Sequence, residues 1–256
     1  MALNRLITTI LLLFIIHNFS FSQLSFYKSY NSNYVRPYNL VISKDNKFAY
    51  VATETEIQTY SRNNLTGELQ YVSSITKMLD GVTRINDAYS ITISNSSDYL
   101  FFSFRGKLGV CKRDLSTGEL TLIHDFNIDQ TSSNITNNCI KISNDDKFLY
   151  SAVRKSLYIY EINQTTGLLK LVHKMTDLND VESMSFDVSC EISPDNEYLY
   201  VTGGHGITVF KRDSFTGLLE FKQEIKGDNF INQGLTYSIE SKAVAGNKFL
   251  YTVTNS

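Results

Sequence analysis

The chain has 256 residues, with 24 Lys and Arg against 26 Asp and Glu, for a formal net charge of −2. That balance excludes the strongly basic surface of a typical nucleic-acid binder, and no basic stripe runs through the sequence. Phe and Tyr number 16 each against two Pro and no Trp, and aromatic density of this kind favours strands.

The N-terminus, MALNRLITTILLLFIIHNFSFSQ, has a positive n-region at Arg5 and an apolar run over residues 6–16. Small residues, Ser20 and Ser22, stand three and one positions before a cleavage point at Gln23. This pattern predicts a secretory signal peptide over residues 1–22. The run is short for a span of roughly 20 apolar residues, so no membrane span is expected after cleavage. No Cys follows it, which argues against a lipoprotein. A secreted, periplasmic or cell-surface location follows for residues 23–256. Next comes LSFYKSYNS (residues 24–32), which reads as one outer strand without its sheet.

From there the chain is one unit written four times and a fraction. LVISKDNKFAYVAT, ITISNSSDYLFFSF, IKISNDDKFLYSAV, CEISPDNEYLYVTG and AVAGNKFLYTVT align on the column Ser43, Ser94, Ser143, Ser193 and Ala245. A second marker, LTGEL, STGEL, TTGLL and FTGLL, recurs in phase with its glycines at Gly67, Gly118, Gly167 and Gly217. Each unit divides into four strands. Strand a ends in the Ile-Ser pair, strand b carries successive apolar residues, strand c precedes the Thr-Gly turn, and strand d follows it. Asn/Asp-rich turns bond their own backbone, and Gly supplies a turn angle that other residues avoid.

Four antiparallel strands repeated near every 50 residues predict an all-β chain of the β-propeller type. The units fall at about 38–76, 88–127, 138–176, 188–226 and, in part, 239–256. Four complete four-stranded blades and a partial fifth imply an incomplete, open ring. The orphan strand at 24–32 would then be the outer strand for ring closure. A β-sandwich would give no reason for the strict period.

ISPDNEYLYVTG…ITVFKRDSFTGLLEF (residues 192–221) resembles the blade repeat of the lactonase-type seven-bladed β-propellers, whose members include 6-phosphogluconolactonase-like and muconate-cyclising-enzyme-like proteins. LDGVTRINDAYSITIS (residues 79–94) is similar to the linker that joins blades in secreted members. The resemblance implies the propeller fold over about residues 24–254, and for its enzymes His, Arg and Glu at one mouth of the channel. It assigns none of those roles to a numbered residue here. Two functions are expected. The first is an exported binding or interaction module; the alternative is a lactonase-like hydrolase or cyclising enzyme acting on an anionic sugar-acid or muconate-type lactone. A structural repeat of a larger surface protein is a third.

Propeller d–a and b–c loops share one face around the channel. The b–c column reads Glu54, Arg105, Arg154, Gly204 and Asn255. A carboxylate and two guanidiniums around one channel would suit a small anionic ligand, Arg offering paired donors and Glu54 a general base. His205, between glycines in GGHGI, is a further candidate, and a partner protein on this face is the other reading. His124 and His173 share a strand-d column and are expected at the surface. In TDLNDVESMSFD (residues 176–187), Asp177, Asp180 and Glu182 offer oxygen ligands for Ca²⁺, but the EF-hand spacing is missing and a solvated loop is expected. No P-loop, dinucleotide fingerprint or Gly-x-Ser-x-Gly elbow appears, so no cofactor is implied.

Three Cys are present. Cys111 replaces an aromatic residue in its column and reads as a small buried hydrophobe. Cys139 and Cys190 sit one column apart. Neighbouring columns of a strand point to opposite faces, so no disulfide is expected between them.

Overall fold

A computed structural model describes residues 36–79, 84–85, 87–128, 138–153, 155–176, 178, 181–184, 188–203, 206–226, 238–244 and 249–254. Residues 35–256 form one compact unit, and a separate unit, Met1–Tyr34, lies outside the described residues. The expected signal peptide and the strand expected at 24–32 therefore also lie outside them.

Four antiparallel sheets follow in chain order. Blade 1 is β1 (Pro37–Ile42), β2 (Phe48–Thr53), β3 (Ile57–Arg62) and β4 (Leu69–Ile75), and blade 2 is β5 (Ala88–Ile93), β6 (Tyr99–Phe104), β7 (Lys107–Arg113) and β8 (Leu120–Asn127). Blade 3 is β9 (Asn138–Ile142), β10 (Phe148–Val153), β11 (Ser156–Ile162) and β12 (Leu169–Met175), and blade 4 is β13 (Ser189–Ile192), β14 (Tyr198–Gly203), β15 (Gly206–Arg212) and β16 (Leu219–Lys226). A two-stranded hairpin, β17 (Ser238–Val244) and β18 (Phe249–Thr254), follows. The all-β, incomplete propeller expected from the repeat is what the described residues form.

Strand order explains the burial. Strands β1, β5, β9, β13 and β17 lie side by side along the chain of blades. Strands b of blades 2 and 3 are buried along their whole length, whereas β12 and β16 are mostly exposed. The outermost strands carry the same irregularity in every blade. Pairing shifts register between Thr59 and Tyr60, Val110 and Cys111, Ile159 and Tyr160, and Val209 and Phe210. A repeated bulge adds twist at the rim, where it helps to splay the blades.

The a–b turn is built by its serine. Ser43 Oγ accepts from Phe48 N–H at 3.0 Å and donates to Asp45 Oδ1 at 2.5 Å. Ser143 and Ser193 repeat both bonds. The third turn residue has a left-handed backbone in each case (Asn46, Ser97, Asp146, Asn196), a conformation that Asn and Asp tolerate best after Gly. In the fifth unit, Ala243 pairs with Leu250 as Ile142 pairs with Leu149. The serine column therefore continues at Val244 and not at Ala245, and a hydroxyl is lost from that turn.

Adjacent blades pack face to face, and this corrects the cysteine expectation. Cys139 on β9 and Cys190 on β13 form a disulfide, with Cα atoms 5.8 Å apart. The column of Cys190 faces the preceding blade, whereas the column of Cys139 faces the following one. Ser90 shows the same relation one joint earlier, its Oγ accepting from Ile140 N–H at 3.1 Å. An offset of one column sends two residues of one strand apart, but it brings residues of facing blades together. Cys111 is unpaired and fully buried among blades 1 and 2, as expected. Burial pushes its thiol pKa well up.

Candidate functional site

The b–c turns differ from blade to blade although they share a column. In blade 1, Thr53 Oγ1 accepts from Glu56 N–H at 3.1 Å and donates to Glu56 O at 2.8 Å, which folds the Glu54 turn tightly. The Glu54 side chain is exposed, while its backbone is held on both sides. Its N–H donates to Arg36 O at 3.0 Å, and its carbonyl accepts from Asp87 N–H at 2.7 Å. In blade 2, Phe104 pairs directly with Lys107, so Arg105 and Gly106 alone make the turn. Both have positive φ, 39° and 75°, the backbone of a two-residue hairpin matched to strand twist.

Arg105 does not stand free at the mouth. Its Nε and Nη2 donate to Asp87 Oδ2 at 3.0 and 2.8 Å. The other oxygen of Asp87 accepts from the Tyr38 hydroxyl at 3.0 Å. Tyr38 in turn packs on Tyr89, with ring centroids 4.9 Å apart. The Asp87 side chain is 15% exposed and that of Arg105 is 59% exposed, so one end of the guanidinium remains in solvent. Burial, then the hydrogen bond to Asp87 and its charge, push the Tyr38 hydroxyl pKa up to about 12. The Asp87 contact also raises the Arg105 pKa.

The mouth of blades 1 and 2 is thus a cluster of Glu54, Arg105, Asp87, Tyr38 and Tyr89. Only Glu54 and Arg105 belong to the column read from the sequence. Asp87 and Tyr38 lie in and beside the d–a links, which have no repeat register, and the one sequence signal for Asp87 is its place in RINDAYS. Arg154, Gly204, His205 and Asn255 lie outside the described residues, as do Asp177 and Asp180. Glu182 falls in a 3-10 turn, Glu182–Met184. Among the described residues no group of three or more His, Cys, Asp or Glu is placed to hold a metal ion. On the rim, His173 is exposed as expected, but His124 is half-buried. It leans on Phe126, with ring centroids 5.0 Å apart, and its Nδ1 is buried without a hydrogen-bond partner.

The family model described as Lactonase, 7-bladed beta-propeller, matches residues 22–186 and 108–230. A putative 6-phosphogluconolactonase from Bacteroides uniformis is similar in structure, with a TM-score of 0.60 and 20% identity over 86% of this chain and 58% of that one. The periplasmic gluconolactonase of Pseudomonas aeruginosa gives 0.61 and 15% identity, covering 86% of this chain and 57% of that one. Hydrazine synthase from Kuenenia stuttgartiensis gives 0.56 and 13% identity, covering 87% and 58%. At these identities the likeness is one of fold, which hosts unrelated chemistries. The chain spans somewhat less than three fifths of the length of these three structures. No curated protein matches it.

Proposed function

Because the chain belongs to the lactonase family of seven-bladed β-propellers, we propose that it hydrolyses a lactone of an anionic sugar acid at the mouth of blades 1 and 2. The observation that carries this reading is Arg105. It is anchored by Asp87 yet 59% exposed, so it presents fixed N–H donors toward solvent without losing side-chain order. An anchored guanidinium suits a carboxylate or phosphate better than a freely rotating one, since less order is lost on binding. Glu54, exposed on the same mouth, is a second carboxylate beside the committed Asp87. As general base it removes a proton from water while the oxygen attacks the lactone carbonyl carbon. The ring C–O bond then breaks, and the proton goes to the departing ring oxygen, leaving an open-chain hydroxy acid.

The gluconolactonase names of two structural neighbours support this substrate class. The test is release of acid from gluconolactone and from its 6-phosphate, with Arg105→Ala and Glu54→Gln beside the parent. Turnover that falls at least tenfold in both variants supports the reading. No turnover above the spontaneous rate, or turnover indifferent to both changes, overturns it.

A second reading rests on Asp87. Both of its oxygens are already bonded, so the carboxylate closest to the guanidinium is committed to structure. That favours a binding module which holds an anion without cleaving it. Calorimetry with gluconate separates the two: heat of binding without turnover supports the module. Either function would operate outside the cytoplasm, given the N-terminal pattern. The Cys139–Cys190 bridge supports an oxidising compartment as well, and cell fractionation tests it.

A further inference from the structure

Strands β1 and β5 break their regular pairing where they reach the mouth. In β1, Pro37 pairs with Thr53 and Asn39 with Ala52, so Tyr38 is an extra residue without a partner on β2. In β5, Ala88 pairs with Phe104 and Ser90 with Ser103, so Tyr89 is extra in the same way. Both tyrosines stand five residues before the turn serine of their blade, Ser43 and Ser94. Strands β9 and β13 pair without such a step, and Asn138 and Val188 hold that position in the sequence. Strand β17 has the bulge, but its extra residue is Ile239. Among the described residues, only blades 1 and 2 put a tyrosine on a bulge here. A bulge gives up ladder pairing and re-aims a side chain.

The two rings meet across the joint. Their centroids are 4.9 Å apart and their planes are tilted by 52°. Tyr38 is fixed at its far end, where its hydroxyl donates to Asp87 Oδ1 at 3.0 Å. The other oxygen of Asp87 holds Arg105. One carboxylate therefore ties the guanidinium to the aromatic pair. The apolar core of this joint includes Ile57, Ile85, Ala88 and Ile91, and neither tyrosine belongs to it or packs against it. Two large aromatic side chains are thus placed beside a polar mouth, half-buried, where the core does not need them.

Such a pair offers a ligand apolar area with an electron-rich face. The C–H groups on one face of a sugar ring are slightly positive and fit that surface, while the hydroxyl groups at the ring edge stay free for polar contacts. An open polyol chain has no such face to lay down. We propose that Tyr38 and Tyr89 are the platform for the closed ring of the sugar-acid lactone whose anionic group Arg105 takes, a role that rests on the proposed lactone site. The platform favours the ring over the open chain. Hydrolysis opens the ring, so the product loses the contact that held the substrate.

Calorimetry on the full chain with glucose 6-phosphate and glucitol 6-phosphate tests this. The two share their carbon count and their phosphate, but the first is a closed ring in water and the second an open chain. Neither is a lactone, so neither is consumed. The ring ester should bind roughly fivefold tighter. Tyr89→Leu should remove that preference, and Tyr38→Leu is a second variant that should do the same. Tyr89→Phe keeps the aromatic face and should retain the preference. Arg105→Ala should weaken both esters alike. Circular dichroism of each variant checks that it is folded. Equal binding of the two esters by the parent overturns the proposal. So does binding of neither, or a preference that survives loss of either ring. Gluconolactone turnover separates this from the lactonase reading: turnover without ring preference leaves a hydrolase that lacks the platform, and ring preference without turnover leaves the platform in a site that only binds.

Discussion

Asp45, Tyr50 and Arg113 meet at a place where a guanidinium is buried away from bulk solvent, so its donors need partners within the protein. Arg113 bonds Tyr50, Asp45 and Ser97 O, and the ring of Phe48 lies 5.0 Å from its central carbon. Burial works against the charged form of Asp45, but bonds from Arg113, Ser43 and Lys47 N–H outweigh it and hold the carboxyl pKa down at about 2. A carboxyl depressed in the fold stabilises it above its unfolded pKa, and this contribution is lost as pH falls from about 4 to about 2. Tyr50 behaves in the opposite sense. Burial pushes its hydroxyl pKa up to about 12, so its contribution is lost as pH rises from about 10 through that value. Removing one partner of such a pair strands the other. Arg113→Met should therefore cost about 2–3 kcal/mol at neutral pH, somewhat less than a fully buried pair because Asp45 keeps some solvent. Urea unfolding at neutral pH and near pH 3 checks this. The parent should lose stability between the two, and the variant should lose clearly less.

The strand element carries both the successes and the failures of the sequence reading. Successive apolar residues such as FLYSAV place β10 because a strand covered on both faces needs them, and the Thr-Gly turns place the step from strand c to strand d. The disulfide was missed because face parity was applied within one sheet, whereas Cys139 and Cys190 belong to facing sheets, where the parity rule inverts. Asp87 and Tyr38 were missed for a different reason. Asp87 sits in a link of variable length, where no repeat column predicts that it would reach Arg105, and Tyr38 is a strand-a residue of β1, outside the loop columns. The disulfide also gives a prediction. It joins innermost strands 51 residues apart, so opening it frees a long loop in the unfolded chain and should cost about 2–4 kcal/mol. Cys139→Ser and reduction of the parent should lower the urea midpoint by the same amount, with no further loss when the variant is reduced. Cys111 does not complicate the measurement, since a thiol so buried is poorly ionised and slow to exchange.

Across the whole molecule the three complete joints are not alike. Joints 1–2 and 3–4 use the Asp–Tyr–Arg arrangement, but joint 2–3 has Ser96, Phe101 and Ile162 in those three columns. All three polar groups are replaced together, and an arginine kept alone there would be buried without its side-chain partners. The lost tyrosine hydroxyl has a substitute two residues earlier. Tyr99 OH donates to Thr165 O, on the same kind of turn that Tyr50 reaches at Gly118 O and Tyr150 reaches at Gly217 O. Tyr99, Phe101, Ile140, Ile142, Leu149, Tyr158 and Tyr160 complete an apolar cluster across this joint. The carboxylate that crosses this joint, Asp146, accepts from the Asn95 and Ser96 N–H groups, whereas Asp45 and Asp145 pair with buried arginines and are both held below the ordinary carboxyl range. Acid should therefore act unevenly. As pH falls from about 4 toward 2, the outer joints weaken while joint 2–3 keeps its apolar contacts. Hydrogen exchange followed by mass spectrometry across that range should show protection lost first in β2 and β14. It should persist longest in β6, β10 and β11, which flank the apolar joint. The substitution Ile162→Ala should remove that difference by opening a cavity in joint 2–3. Uniform loss of protection in all four blades would mean that the joints unfold as one cooperative unit.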